Sequence, residues 1–259
     1  MNYLRILYNQ CGCFNKNRWH NQTPDFLFKD ATKETLLQRL RDYILCVGKR
    51  YESDFYCWDV VNEAIEDKSD YFYRKSPWLD IIGEGFIEHS FRIAKEILPE
   101  TDLYYNDYNE CNELKRNKVY KQVKNMLDRD VPIDGVGLQC HWNIFSPKMD
   151  EFKRAMEQYA KLGLKIQITE MDISVYEFTR EGKVEKPSND MINKQAEIYK
   201  EAFSILREYK DIVDCVTLWG VADDETWLSK FPINNRKNWP LLFDENHKPK
   251  EAFYGVMDF

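Results

Sequence analysis

The strongest constraint on the fold is a regular alternation of apolar runs and amphipathic segments that begins near residue 55. The apolar runs are rich in the β-branched and aromatic residues typical of strands, and they cover residues 54–63, 102–109, 133–142, 165–172 and 213–223. Between and after them, apolar residues recur at helical spacing, which predicts helices over 77–97, 113–129, 147–162, 192–206 and 249–258. Alternating strands and helices indicate a parallel sheet covered by helices.

Two parallel architectures fit this alternation: a (β/α) barrel and a doubly wound open sheet. A chain of 259 residues suits one barrel or two smaller domains, so length does not decide between them. Neither G-x-G-x-x-G nor G-x-x-x-x-G-K occurs, which weakens a nucleotide-binding interpretation.

Charge and composition argue against several classes of protein. The net charge of -7 argues against a nucleic-acid partner, because phosphate binding needs clustered Lys and Arg. No stretch approaches the ~20 apolar residues that cross a membrane, and we see no signal peptide at the N-terminus. The seven cysteines are scattered, and Cys11-x-Cys13 has no second Cys or His pair at zinc spacing. We therefore predict neither a disulfide framework nor a metal site.

Polar or aromatic side chains follow each predicted strand where its apolar run ends. They are Asn62-Glu63, Asn106-Asp107, Gln139 with His141, Glu170 with Asp172, and Trp219 with Asp223-Asp224. The carboxyl ends of strands in a parallel barrel converge on one face, where active sites of this architecture lie, and a doubly wound sheet also binds ligands there. A single charge can be explained by a strand that reaches solvent. Two carboxylates together with His and Trp favour a site.

Glu63 and Glu170 are the residues on which the predicted chemistry depends. Two carboxylates that flank one glycosidic bond can divide the roles of acid and nucleophile between them. A separation of ~5–5.5 Å allows direct attack and retention of configuration, whereas ~6.5–9.5 Å leaves room for a water and gives inversion. The residues alone leave both mechanisms open.

The segments WDVVNEAI (58–65) and QITEMDIS (167–174) resemble those of the glycoside hydrolase family 10 endo-β-1,4-xylanases. Further segments similar to the family are WHNQTPDFLF (19–28), LYYNDYN (103–109), GVGLQCHW (135–142), TLWGVADDETWL (217–228) and PLLFDENHKPKEAFYGV (240–256). They follow the family's order, and the resemblance covers about residue 18 to the C-terminus. It implies a (β/α)8 barrel of the TIM type, a retaining mechanism and xylan or xylo-oligosaccharides as the ligand, with no cofactor.

The resemblance also implies a role for each matching residue. Glu63 resembles the general acid/base that protonates the leaving sugar oxygen, and Glu170 resembles the nucleophile that forms the glycosyl-enzyme. The supporting residues that it implies are Asn62 on the sugar 2-hydroxyl, His141 and Asp172 behind Glu170, Gln139 near Glu63, His20 against the same sugar, Trp219 and Trp227 around the reacting ring, and Tyr108 as a platform on the leaving-group side.

The barrel is expected to be incomplete. The family has eight strands, whereas five are recognisable after residue 50 and WHNQTP matches only the end of the third. The first two β-α units have no counterpart, so we predict one partial catalytic domain with an unrelated segment over residues 1–17. Because an open sheet edge favours pairing with another chain, we expect homo-oligomers through that edge. Sugars beyond the cleaved one are expected to bind weakly, since the family's residues from its first two strands are absent.

Three functions remain open at this point. The favoured one is a retaining endo-β-1,4-xylanase. The second is a catalytically impaired remnant that binds xylan or only self-associates. The third is a β-1,4-glucanase of a related barrel family, which ITEMD and QCHW together disfavour. The family is usually exported, but without a visible signal peptide the compartment stays open.

Overall fold

The computed structural model describes residues 23–179 and 186–258, which form a parallel sheet with helices packed along it. The strands are β1 (Cys57–Asn62), β2 (Asp102–Asp107), β3 (Gly135–Leu138), β4 (His141–Asn143), β5 (Lys165–Ser174) and β6 (Val213–Leu218). The helices are α1 (Lys33–Tyr51), α2 (Pro77–Ile82), α3 (Phe86–Ile97), α4 (Glu113–Asp128), α5 (Met149–Ala160), α6 (Asn189–Glu208) and α7 (Glu251–Met257). No helix in this described part of the chain is both long and apolar enough to cross a membrane.

The strands are hydrogen-bonded side by side in the order β1, β2, β3, β5, β6, and every pair is parallel. The short strand β4 extends β3 and pairs with the later part of β5. This confirms the predicted α/β class with a parallel sheet. Among the described residues, β1 pairs only with β2 and β6 only with β5, so the sheet they form is open at both edges.

Most strands of the sheet are buried, as expected for a parallel sheet covered by helices, but the edge strand β6 is not. Strand β5 is buried from Ile166 to its end, whereas every residue of the edge strand β6 is at least partly exposed. Helix α1 packs closely against Trp58 of β1 at Gly48. A Cβ added at Gly48 would meet Leu98 Cδ1 at 2.9 Å and Trp58 Cζ3 at 3.0 Å, so a side chain there would require Leu98 to shift.

Three predicted elements differ from the structure at points where the backbone takes a positive φ. The single helix predicted over 77–97 is two helices, because Gly83 has a φ of 88° and ends α2. The strand predicted over 133–142 is interrupted before Cys140, whose φ is 56°. The last strand ends at Leu218 rather than at residue 223, since Gly220 turns the chain with a φ of 149°.

Helix α1 was missed by the sequence analysis. Its buried stripe is Leu36, Leu40, Ile44 and Gly48, which is the i, i+4 spacing of an amphipathic helix. Thr32 caps its first turn by accepting a hydrogen bond from the backbone N–H of Thr35 at 3.3 Å. The signal was therefore present, but the segment is mostly polar and lies before the first clear strand.

Candidate active site

The candidate site lies where the carboxyl ends of the strands meet. Glu63 directly follows β1 and takes a φ of 55°, a left-handed conformation that is uncommon for a residue with a side chain. Its backbone N–H donates a hydrogen bond to the carbonyl oxygen of Asn106 at 2.9 Å, so β2 holds the chain where it turns. Glu170 lies within β5, and both glutamates are buried. Strained backbone positions of this kind cluster at active sites.

An unbroken chain of side-chain hydrogen bonds connects Glu63 to Glu170. Gln139 Nε2 donates to Glu63 Oε1 at 3.2 Å and to Asn62 Oδ1 at 3.0 Å. Asn106 Nδ2 donates to the same Asn62 oxygen and to Glu170 Oε1, both at 3.0 Å. The two carboxylates predicted from strands 107 residues apart in the chain are thus held in one network.

Asn106 reaches this position because a glycine lies opposite it. Asn106 pairs with Gly137 in the register of β2 and β3. A Cβ added at Gly137 would meet Asn106 Oδ1 at 2.4 Å and Thr169 Cγ2 at 2.9 Å. The Thr169 hydroxyl also donates to Asn106 Oδ1 at 2.7 Å, which orients the amide so that its nitrogen faces Glu170. The absent side chain at Gly137 therefore makes the room in which the network forms.

His141 connects Glu170 to Asp172. Its Nε2 lies 3.3 Å from Glu170 Oε2, and its Nδ1 lies 3.0 Å from Asp172 Oδ1. Burial opposes the charged imidazolium, but Asp172 and Glu170 outweigh burial and raise the pKa of His141 to about 10. His141 is therefore a cation at neutral pH that donates to a carboxylate on each side.

Aromatic side chains line the side of the site next to His141. Trp227 Nε1 donates to Asp172 Oδ2 at 2.7 Å, and its ring centroid lies 4.9 Å from that of His141. The Trp219 ring lies edge-on to His141 at 6.3 Å, and Phe231 stacks on Trp227 at 5.1 Å. Half-buried indole rings of this kind provide an apolar face beside polar groups, which suits a sugar ring.

The backbone that follows Glu63 is fixed by a second network. The Tyr105 hydroxyl accepts a hydrogen bond from the N–H of Ala64 at 3.2 Å and donates to Asp107 Oδ2 at 2.6 Å. Lys115, which is 1% exposed, donates to the carbonyl oxygen of Ile65 at 2.6 Å and contacts Asp107 Oδ1 at 2.9 Å. Burial raises the pKa of Asp107 above its ordinary value, although Lys115 opposes this. These contacts stabilise the unusual conformation at Glu63.

Arg74 and Tyr108 lie on the Oε2 side of the Glu63 carboxyl group, opposite Gln139. Arg74 Nη1 donates to Glu63 Oε2 at 3.2 Å, and Nη2 donates to the Tyr108 hydroxyl. Tyr108 in turn donates to Asp67 Oδ2 at 2.6 Å. Burial acts to raise the pKa of Asp67, but Lys115 and the bonds from Tyr108 and Asn109 outweigh burial and lower it. Asp67 therefore stays an anion beside the cations Arg74 and Lys115.

Nine of the ten residues predicted for the site lie in the described part of the chain. Those in direct contact with Glu63, Glu170 or their hydrogen-bonded partners are Asn62, Gln139, His141, Asp172, Trp227 and Trp219. Tyr108 is joined to Glu63 through Arg74. His20, the segment 1–17 and Cys11-x-Cys13 lie outside the described residues.

Sequence reasoning assigned no role to three residues that lie near Glu63 or Glu170. Asn106 was visible as a polar residue in a buried strand opposite the glycine of GVG, but its role needed the register. Arg74 lies in a loop and gave no signal. Asp59 lies in β1, and burial together with nearby Glu170 raises its pKa to about 7. Asp59 could have been noticed in the sequence as a carboxylate inside the apolar run CWDVV.

We searched the described residues for groups of side chains that could bind a metal ion. Within residues 23–179 and 186–258, no group of three or more His, Cys, Asp or Glu side chains is arranged to hold a metal ion. The described cysteines, Cys46, Cys57, Cys111, Cys140 and Cys215, are free thiols. The two carboxylates of the described site have different partners. Glu170 lies beside cationic His141, whereas Glu63 lies beside the Gln139 amide and the Arg74 guanidinium.

Comparison with known proteins identifies the family. The model of glycosyl hydrolase family 10 matches residues 17–259. The chain belongs to glycosyl hydrolase family 10. This confirms the resemblance found in the sequence. An endo-1,4-beta-xylanase of Geobacillus stearothermophilus is 48% identical over 246 residues, which are 93% of this chain and 74% of that protein. Endo-1,4-beta-xylanase A of Caldicellulosiruptor saccharolyticus is 47% identical over 93% of this chain and 72% of its own length.

Solved structures of family 10 support the same assignment. The endo-1,4-beta-xylanase of Caldicellulosiruptor owensensis superposes with a TM-score of 0.90 at 48% identity and covers 93% of this chain and 75% of its own. A mutant structure in complex with xylotriose gives the same identity, coverage and TM-score. The described fold is therefore that of the family 10 barrel, and about a quarter of each of these relatives lies outside the match.

Proposed function

We propose that this chain is a retaining endo-β-1,4-xylanase with Glu63 as the general acid/base and Glu170 as the nucleophile. The observation that carries the proposal is the contrast between the two carboxylates within one hydrogen-bonded network. Glu170 lies beside His141, whose Nε2 is 3.3 Å from Glu170 Oε2. Glu63 is held by Gln139 and Arg74 at the end of β1. The xylanase names of the relatives and the bound xylotriose support a xylan substrate.

In the first step, a Glu170 oxygen attacks the anomeric carbon while Glu63 gives its proton to the glycosidic oxygen. The bond between the anomeric carbon and that oxygen breaks, and a glycosyl ester on Glu170 forms. His141 and Asn106 both donate to Glu170, so they hold its carboxylate and disperse its charge before attack.

In the second step, Glu63 is a carboxylate and acts as the base. It takes a proton from a water that attacks the anomeric carbon, and Glu170 leaves as a carboxylate. Two displacements restore the original configuration. Asn62 lies between the two carboxylates and is proposed to bind the 2-hydroxyl of the reacting sugar. Trp219 and Trp227 are proposed to enclose its ring, His20 to touch the same sugar, and Tyr108 to support the leaving sugar.

The test is hydrolysis of xylan by the purified chain, with release of xylo-oligosaccharides. Glu170→Ala is expected to abolish release, since the nucleophile is lost. Glu208→Ala is a matched control, because Glu208 is an exposed glutamate on α6 that pairs with Lys153. Full hydrolysis by Glu170→Ala would remove Glu170 as the nucleophile. The initial anomer, read by NMR, is expected to be β.

The second candidate is a catalytically impaired protein that binds xylan. It is favoured by the sheet that the described residues leave open at β1 and β6, where a family barrel is closed by further strands. No turnover of an activated aryl xylobioside, together with measurable binding of xylohexaose by calorimetry, would support it. A β-1,4-glucanase is distinguished by comparing xylan with carboxymethyl-cellulose, and faster release from xylan is expected.

Self-association through the open edge is proposed on the same observation. Strand β6 is partly exposed along its length, and an unpaired strand edge offers hydrogen-bonding groups to a second copy. Light scattering over a range of concentrations is expected to give a mass above that of the 31.2 kDa chain. A constant monomer mass would contradict this proposal without affecting the catalytic one.

A further inference from the structure

Arg74 is held beside Glu63 by the backbone as well as by its side chain. The chain leaves β1 at Glu63, forms a loop, and returns so that Tyr73 pairs antiparallel with Ile65. The N–H of Arg74 then donates to the carbonyl oxygen of Ala64 at 2.8 Å. Arg74 is thus eleven residues beyond Glu63 in sequence but lies next to it in space.

Hydrogen bonds from α4 anchor the loop that carries Arg74. Lys118 on α4 donates to three carbonyl oxygens of the loop, those of Glu66, Lys68 and Tyr71. Lys115, one turn earlier, donates to the carbonyl oxygen of Ile65. Two buried lysines therefore anchor this loop to α4.

The guanidinium of Arg74 contacts polar groups on both sides and lies near an aromatic ring. It donates to Glu63 Oε2 at 3.2 Å and to the hydroxyl of Tyr108, and it lies 3.5 Å from Asp67 Oδ2. Its carbon Cζ lies 5.1 Å from the centre of the Tyr108 ring. The side chains of Arg74 and Glu63 are only 14% and 11% exposed, so the contact between the guanidinium and the carboxyl group is shielded from solvent. Planar guanidinium donors fix the orientation of a carboxylate, which a lysine cannot do in the same way.

Both oxygens of the Glu63 carboxyl group are therefore held, Oε1 by Gln139 and Oε2 by Arg74. The geometry points to Arg74 as a positioning residue that aligns the acid/base with the leaving-group side of the site, through its shared contacts with Glu63 and Tyr108. This inference rests on the proposed function of Glu63. When Glu63 gives its proton to the glycosidic oxygen it becomes a carboxylate, and the adjacent guanidinium balances the new charge.

The contribution of Arg74 should depend on how much the leaving group needs that proton. A phenolate leaving group requires protonation as the bond breaks, whereas 2,4-dinitrophenolate leaves without it. The experiment measures kcat/KM, which reports the first step, for phenyl and 2,4-dinitrophenyl β-xylobiosides. Arg74→Met is expected to lower kcat/KM for the phenyl substrate by roughly 10²-fold, the lower end of what general acid catalysis contributes, and to change the dinitrophenyl value by less than about 3-fold.

Two further variants separate positioning from folding. Arg74→Lys keeps the charge but not the planar donor group, and an intermediate loss on the phenyl substrate is expected. Arg41→Met removes a guanidinium from an exposed pair with Glu96 and is expected to leave both substrates unaffected. Equal losses on the two substrates, or no loss on either, would overturn the role of Arg74.

A crystal structure of Arg74→Met gives a readout that needs no activity. The Glu63 carboxyl group is expected to leave its present place and lose the 3.2 Å contact with Gln139. A carboxyl group that stays in place would overturn the inference. If the wild-type chain hydrolyses neither substrate, the proposed function has failed by itself, and this crystal structure alone decides whether Arg74 positions Glu63.

Discussion

Asn106 Nδ2 lies 3.0 Å from Glu170 Oε1, and the same nitrogen donates to Asn62 at the same distance. One buried amide thus connects the carboxylate proposed as the nucleophile with the residue that precedes the proposed acid/base. Because the amide is itself oriented by Thr169, its contribution is to hold Glu170 in place before a substrate arrives.

Removal of this amide should slow the reaction. Asn106→Ala takes away the donor to Glu170 and leaves Asn62 with one donor fewer, which costs about 1–3 kcal/mol when the groups are buried. We expect kcat on an aryl xylobioside to fall by roughly 10- to 100-fold. Asn117→Ala is the control, because Asn117 is exposed on α4 and its side chain accepts a hydrogen bond from Gln158, away from the site. Unchanged kcat in Asn106→Ala would show that this amide does not support Glu170.

A side chain at Gly137 is expected to displace Asn106 and so disturb its hydrogen bonds with Asn62 and Glu170. In Gly137→Ala, the new methyl group would meet Asn106 Oδ1 at 2.4 Å, so Asn106 or β3 must shift. Overpacking of this kind costs typically about 1–3 kcal/mol, and urea unfolding should record that loss together with reduced activity. Gly85→Ala is a control, since its new methyl group would meet His89 at an ordinary 3.7 Å. Wild-type stability and activity in Gly137→Ala would contradict the close approach.

Stability should fall as the pH rises from neutral to alkaline. The pKa of His141 is raised to about 10 by Asp172 and Glu170, against the effect of burial. A raised pKa means that the folded protein holds a proton that the unfolded chain releases near pH 6.5. The stabilisation is complete below about pH 6.5 and is lost as the pH rises through about 10, with a total on the order of a few kcal/mol.

Urea unfolding at pH 7 and at pH 9 measures this effect. His141→Gln is expected to be less stable at pH 7 and to lose most of the difference between the two pH values. His247→Gln is the control, because His247 is on the surface and contacts exposed Asp224. If the stability of His141→Gln falls between pH 7 and pH 9 as much as that of the wild type, another group causes the pH dependence.

The sequence predicted much of this site because strand ends are easy to recognise. The apolar runs before Glu63 and Glu170 are long, and carboxylates at such positions are rare enough to attract attention. The sequence could not predict Arg74, because its place depends on the return of a loop to Ile65 and on two lysines of α4. It also could not predict the orientation of Asn106, which depends on the register of β2 against Gly137. The breaks at Gly83 and Cys140 needed backbone angles that composition does not reveal.

The central claim is that Glu170 forms a covalent bond with the sugar while Glu63 exchanges protons. The most direct measurement uses 2,4-dinitrophenyl 2-deoxy-2-fluoro-β-xylobioside, whose fluorine slows the second step so that the glycosyl-enzyme accumulates. Mass spectrometry of the intact chain and of its peptides is expected to find one fluoroxylobiosyl group, attached to Glu170, as activity is lost. A label on any other residue, or loss of activity without a label, would contradict the account.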